Sequence, residues 1–182
     1  MTGEFTFGVR RASRDEILGA IEQIQGHQPW LALLGGRGIG WATDEIPVIL
    51  SPGQHLDGLE DATPLTPTVR PTDETPPRPQ GVVALRWFEV KTKDWEEFLD
   101  LSASAWPAFE SAYDANILGL FRAPDTDVAR ALLATRYASL AEWERSRRAI
   151  AAQSGEQAEA GKRFRRRQEI TKRTIVRVAP PL

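Results

Sequence analysis

Four arginines fall within, or at the ends of, segments that read as β-strands: Arg86, Arg122, Arg136 and Arg177. A guanidinium flanked by Val, Leu and aromatic residues costs free energy unless it is paired or faces water. If Arg86, Arg122 and Arg136 point into a barrel, with Tyr137 beside the last of them, they could hold a carboxylate or stabilise an enolate-like oxygen. These four residues are the candidate ligand-binding set, and no residue is assigned a catalytic role. Glu89 is one position out of phase with Arg86 and should face away from it. The commoner arrangement for such arginines is an ion pair, here with Glu89, Glu110 or Glu142, or a solvated strand end.

Other chemistry-bearing residues are weaker candidates. His27 and His55 titrate near neutrality in principle, but they sit among Gly, Gln and Pro residues with no Ser or Asp at triad spacing. The cluster Gly35-Gly-Arg-Gly-Ile-Gly40 has neither the Lys of a phosphate loop after Gly40 nor the third glycine of a dinucleotide fingerprint, since Trp41 stands there. It reads as a turn or a close backbone contact. The run from Lys162 to Arg173 holds seven basic residues against Glu169. One aromatic, Phe164, is thin for base stacking, so the run reads as a solvated basic helix face or one touching the acidic N-terminal half. The six tryptophans have spacings that suit core packing better than a planar cofactor.

Composition narrows the classes further. The chain has 182 residues and no cysteine, which excludes disulfides and thiolate metal sites. Two histidines cannot build a histidine-rich cage, so no metal is expected, and the residues call for no cofactor. A net charge of -2 argues against a globally basic nucleic-acid binder. The charge is uneven: residues 1–80 carry 6 basic and 11 acidic groups, and residues 81–182 carry 17 and 14. The start lacks a signal-peptide core, and no apolar run approaches the ~20 residues of a membrane span. The expectation is a cytoplasmic protein with no membrane partner.

The elements that must position these residues can be read from periodicity. Phe5, Phe7 and Val9 alternate as in a half-buried strand. Ser13 and Glu16 have capping-box spacing ahead of Ile17, Leu18, Ile21 and Ile24 on one helical stripe, with Gly26 as a stop. Ile46 to Leu50 reads as a strand, placed at an edge by Pro47. Six prolines between Pro64 and Pro79 make residues 63–80 an irregular connector. Beyond it the pattern is regular. Val82 to Val90 is a strand with apolar residues on both faces. Asp94 opens a helix through Trp95, Phe98 and Leu99, with Pro107 predicted to kink or restart it. Ile117–Phe121 and Ala131–Tyr137 are strands joined by a turn. Ser139-Leu-Ala-Glu142 is a second capping box, opening a helix with Leu140, Trp143 and Ile150 that Gly155 interrupts. Arg173 to Val178 closes as a strand. The order β-α-β-β-α-β is ferredoxin-like.

At these residues the chain resembles the NIPSNAP family. The resemblance lies in Asp94-Trp-Glu-Glu-Phe98, Trp106-Pro-Ala-Phe-Glu110, Asn116-Ile-Leu-Gly-Leu-Phe-Arg122, Leu133-Ala-Thr-Arg-Tyr-Ala-Ser139 and Ser139-Leu-Ala-Glu-Trp143. It covers residues 81 to 182 and implies a dimeric α/β barrel, in which ferredoxin-like units pair through open sheet faces. The wider group includes cofactor-free enzymes that act on aromatic substrates. The expected architecture is therefore α+β. An incomplete N-terminal βαβ-like subdomain (1–62) and the connector (63–80) precede a ferredoxin-like domain (81–182). Apolar side chains on both faces of Val82–Val90 predict that a partner covers the open sheet face, with a homodimer favoured over cover by the N-terminal half. The expected function is binding of a small ligand, with a small acidic molecule as the candidate, or an interaction role. The alternative is a cofactor-free, monooxygenase- or cyclase-like barrel enzyme acting on a small acidic or aromatic substrate.

Overall fold

The computed structural model describes residues 3–148 and 156–182. Phe5–Arg11 form β1, Ile17–Gly26 α1, Leu31–Ala32 β2, Glu45–Leu50 β3 and Leu59–Pro67 β4. The second half contains β5 (Val82–Val90), α2 (Trp95–Ala112), β6 (Ala115–Ala123) and β7 (Ala129–Tyr137). It ends with α3 (Leu140–Arg148), α4 (Glu156–Ile170) and β8 (Thr171–Ala179). The expected β-α-β-β-α-β order is present from β5 to β8. Ile150 and Gly155 lie outside the described residues.

All strand pairs are antiparallel, and the sheet runs β2-β3-β1-β4-β6-β7-β5-β8. Each half thus repeats one order: its second, third, first and fourth strands. The two halves join where β4 meets β6 at Thr66–Arg122 and Pro67–Phe121. The far edges also meet. Ile39 and Val178 exchange backbone hydrogen bonds of 2.7 and 3.0 Å, and the Leu34 amide donates to the Pro180 carbonyl at 2.9 Å. One chain therefore closes a barrel from two ferredoxin-like halves. The seam demands close backbone approach. A Cβ on Gly38 would lie 2.0 Å from the Val178 carbonyl oxygen, so the glycine cluster serves packing rather than phosphate binding.

Alternation along each strand sorts side chains between the inside of the barrel and its outer face. Inside, Phe5, Phe7, Val9, Trp30, Leu33 and Ile49 of the first half interleave with Val83, Leu85, Phe121, Leu132 and Ala134 of the second. Phe121 sits edge-on to Phe5 and Trp30, each at 5.3 Å between ring centres. Outside, α1 lays Ala20 and Ile24 on Ile46, Val48 and Leu50. On the second half, α2 lays Trp95, Phe98 and Trp106 on Phe88, Val90, Leu120 and Leu133.

This arrangement removes the open sheet face on which the expected homodimer rests. The sheet face of β5–β8 is covered by the chain's own β1–β4, so that face is not open to a second protomer. The N-terminal half is also fuller than the two strands read from sequence, because β2 and β4 complete a four-stranded unit. It lacks a second helix: residues 51–58 join β3 to β4 as a loop whose Leu56 packs into the α1 cluster. Residues 63–67 of the expected connector belong to β4, while 68–81 contain neither helix nor strand. β4 pairs with β1 over 59–65 and with β6 only at 66–67. Most of its second side is thus unpaired, which accommodates Pro64 and Pro67.

Three local expectations are revised. Pro47 does not mark an edge, because β3 lies between β1 and β2. Its carbonyl accepts from Leu33, whose own carbonyl takes the Gly35 amide, so the absent proline donor is not missed. Pro107 does not restart the helix, because α2 continues through it to Ala112. The first capping box is rearranged: Ser13 Oγ donates to the Glu16 carboxylate at 2.6 Å instead of accepting a helix amide.

Candidate functional site

Arg86 stands on β5 with the parity of Ala84 and Phe88, which places it on the helix side of the sheet, outside the barrel. Its Nη2 donates to Tyr137 Oη at 2.7 Å and its Nη1 to Thr135 Oγ1 at 3.3 Å. Both acceptors lie on β7, two residues apart and therefore on the same face. Tyr137 and Thr135 are fully buried, so the register of β5 on β7 fixes the guanidinium.

The other two arginines do not join them. Arg122 lies over the Trp95 ring at 4.5 Å and donates to Asp125 at 2.6 Å. Arg136 has the opposite parity and sits at a strand end, paired with Asp114 at 2.9 Å and donating to the Gln80 carbonyl at 3.0 Å. Of the four candidates, the structure brings together Arg86 and Tyr137. Arg86, Arg122 and Arg136 do not gather inside the barrel. Arg177, on β8, covers Trp41 at 4.7 Å.

Arg86 instead borders a cavity of about 500 Å³ between the sheet and α2, α3 and α4. Its walls are mostly apolar: Phe88, Ile117 and Leu133 from strands, Leu101, Trp106 and Phe109 from α2. Arg167 enters from α4. Its Nε donates to Ser102 Oγ at 2.9 Å, and its guanidinium lies 4.6 and 4.8 Å from the Phe88 and Phe98 ring centres. Part of the side chain stays in contact with solvent, as suits a residue at the edge of an open cavity. Desolvation first, and then the charge on Arg86, push the Arg167 guanidinium down to about 10. It remains protonated at neutral pH.

Sequence reasoning placed Arg167 in an undifferentiated basic run and missed its place at the cavity. The available signal was helical phase: Phe164, Arg167 and Gln168 share one stripe and border the cavity. The neighbouring Arg166 turns away and pairs with Glu97 of α2 at 2.7 Å. This tie attaches the basic helix to α2 instead of to the acidic N-terminal half.

A second cavity of about 500 Å³ is lined from β1, β4, β5, β7 and β8, over Phe7 and Trp87. Its charges are balanced: Asp61 and Glu89 face Arg130 and Arg173, with Arg173 3.8 Å from Glu89. The histidines are peripheral. His27 contacts the Gln23 carbonyl through Nδ1 at 2.8 Å, and His55 sits exposed beside Asp57. Among the described residues, no three carboxylate or imidazole groups gather in a way that could hold a metal ion. Among the described residues, no helix is long and apolar enough to cross a membrane.

No family model matches the chain, and no curated protein does. Solved structures do. A candidate monooxygenase from Lactobacillus acidophilus NCFM superimposes with a TM-score of 0.61 at 11% identity, covering 100% of this chain and 94% of that one. A ferredoxin-fold protein of Listeria monocytogenes 4b F2365, described as related to antibiotic biosynthesis monooxygenases, gives 0.50 at 10% identity, with 99% and 96% covered. A NIPSNAP family protein of Agrobacterium tumefaciens strain C58 gives 0.45 at 18% identity, covering 58% of this chain and 90% of that one. At these identities the likeness extends to the ferredoxin-like fold alone.

Proposed function

We propose that this chain is a NIPSNAP-like small-ligand-binding protein whose ligand occupies the cavity between the second half-sheet and its helices. One observation carries the reading. A cavity of about 500 Å³, large enough for a drug-sized molecule, sets an apolar wall of Phe88, Leu101, Trp106, Phe109 and Leu133 against polar and cationic groups that include Arg86, Thr135 and Arg167. Inside the barrel, Phe5, Trp30 and Phe121 fill the centre with edge-on contacts, and the cavity over Phe7 and Trp87 is lined by mutually balanced charges instead of a long apolar wall. Because one chain completes the barrel, binding needs no second protomer.

A ligand-observed NMR screen of small aromatic and aliphatic molecules tests this directly. Ala105 lines the cavity from an exposed position on α2, so Ala105→Trp should fill the space without disturbing the core. Hits that bind the native chain and are lost in this variant support the reading. Hits indifferent to the substitution contradict it.

The cofactor-free enzyme is the second reading, and the Arg86–Tyr137 contact is the observation that favours it. A guanidinium held by a buried phenol and a threonine is preorganised to stabilise negative charge developing on a substrate oxygen. Oxygen consumption or product formation with a confirmed ligand, abolished in Arg86→Met, would move the protein from binder to enzyme.

A further inference from the structure

Most arginines of this protein that make ion pairs do so at short range. Arg11, Arg70, Arg122, Arg136, Arg145 and Arg166 each donate to a carboxylate within 3 Å. Arg86 and Arg167 depart from this pattern. Their hydrogen-bond partners are the neutral oxygens of Thr135, Tyr137 and Ser102, and neither has a carboxylate partner among the described residues. Two like charges are thus brought to one cavity, whose lining also includes Arg147, Lys172 and Arg173 and, among the described residues, no carboxylate, and they lie close enough for Arg86 to disfavour the charge on Arg167. Charged groups out of bulk water are ordinarily paired or coordinated. A ligand anion would supply the missing partner.

The geometry specifies the anion further. Arg167 uses its Nε on Ser102, which leaves both terminal amino groups free. The Phe88 and Phe98 rings lie against that guanidinium. A planar fork with two parallel donors matches a planar carboxylate with two oxygens. Beyond the arginines the cavity continues along Trp106, Phe109 and Leu133, which suit a flat apolar body.

Building on the binding reading above, we propose that the ligand is a small carboxylic acid with an aromatic or similarly flat apolar body, its carboxylate held between Arg86 and Arg167 and its ring against Trp106 and Leu133. The proposal assigns Arg167 as a ligand-binding residue and fixes the orientation of the ligand: head toward α4 and the sheet, body along α2.

Calorimetric titration of the full chain tests it with three matched probes: 2-naphthoate, its neutral amide, and 2-naphthyl phosphate. The expected result is that naphthoate binds about tenfold or more tightly than the amide, as a charge-assisted bidentate contact requires. Arg167→Met should erase that preference, while Arg167→Lys restores part of it. Arg167 borders the cavity on a surface helix, so thermal melts can confirm that both variants fold. Equal affinity for naphthoate and amide overturns the carboxylate assignment and leaves the binding reading intact. Tighter binding of the phosphate than of naphthoate also overturns it. A preference that survives Arg167→Met overturns the role given to Arg167. Failure of all three probes to bind at millimolar concentration overturns both the assignment and the binding reading.

Discussion

Phe121 belongs to the second half of the chain, yet its ring lies edge-on to two rings of the first, Phe5 and Trp30, at 5.3 Å each. All three are buried, Phe5 and Phe121 completely. Replacing Phe121 with alanine removes a full aromatic side chain from a site that the barrel wall prevents from collapsing. The expected cost is about 3–5 kcal/mol, transfer and cavity together. For a chain of this length that corresponds to a melting temperature lowered by roughly 6–20 °C. Because the two halves share this core, urea unfolding followed by tryptophan fluorescence and by far-UV circular dichroism should give one coincident transition in both proteins, shifted to lower urea in the variant. A Phe121→Leu, Trp30→Leu cycle should show coupling of about 0.5–1.5 kcal/mol across the halves. A loss below about 1 kcal/mol, or two separated transitions of which the variant moves one, would refute the shared barrel core.

Four further outcomes are expected. Gly38→Ala places a methyl group against the Val178 carbonyl at the seam and should cost ~1–3 kcal/mol in urea unfolding; an unchanged midpoint would show that the seam yields. Tyr137→Phe leaves an Arg86 donor without its acceptor, at ~1–3 kcal/mol; calorimetric melting checks this. Ser139→Ala removes the oxygen that accepts the Glu142 amide at 3.2 Å and should cost ~1 kcal/mol of thermal stability, with probe binding unaltered. The hydrogen bond from Arg166 holds Glu97 below the usual carboxylate range. A carboxylate with a lowered folded value contributes stability above its unfolded value and loses it as pH falls through the folded one. Urea midpoints measured across that acidic window should therefore depend on pH less steeply in Glu97→Gln than in the native chain.

The legibility of the fold followed the density of apolar periodicity. From Val82 onward, long alternating strands and striped helices stand in the order the structure shows, because each element carries its own pattern. β4 was hidden because Leu59-Glu-Asp-Ala-Thr-Pro-Leu-Thr-Pro67 lacks alternation and contains two prolines. It is tolerated as a strand by half-paired edges, which is a property of neighbours and not of its own residues. β2 is two residues long and has no period to read. Without these two strands the first half is too small to cover the second, and a homodimer is the natural alternative. The site was legible by type but not by place. Arginines in strands point to an anion site, and the structure joins Arg86 to Tyr137 at the edge of a cavity. Which face each arginine occupies depends on parity and on bulges such as the register shift between Ile117 and Gly119. Arg167 could be separated from its basic neighbours only by knowing which side of α4 meets the sheet.

The position of the bound ligand tests the account most directly. Nitrogen-15 NMR resolves the six tryptophan indoles and the arginine Nε groups during titration with 2-naphthoate. The account predicts that the Trp106 indole and the Arg86 and Arg167 Nε signals shift together and saturate with one affinity, while Trp30 inside the barrel stays still. Shifts confined to Trp87 and Arg130, at the second cavity, would contradict it.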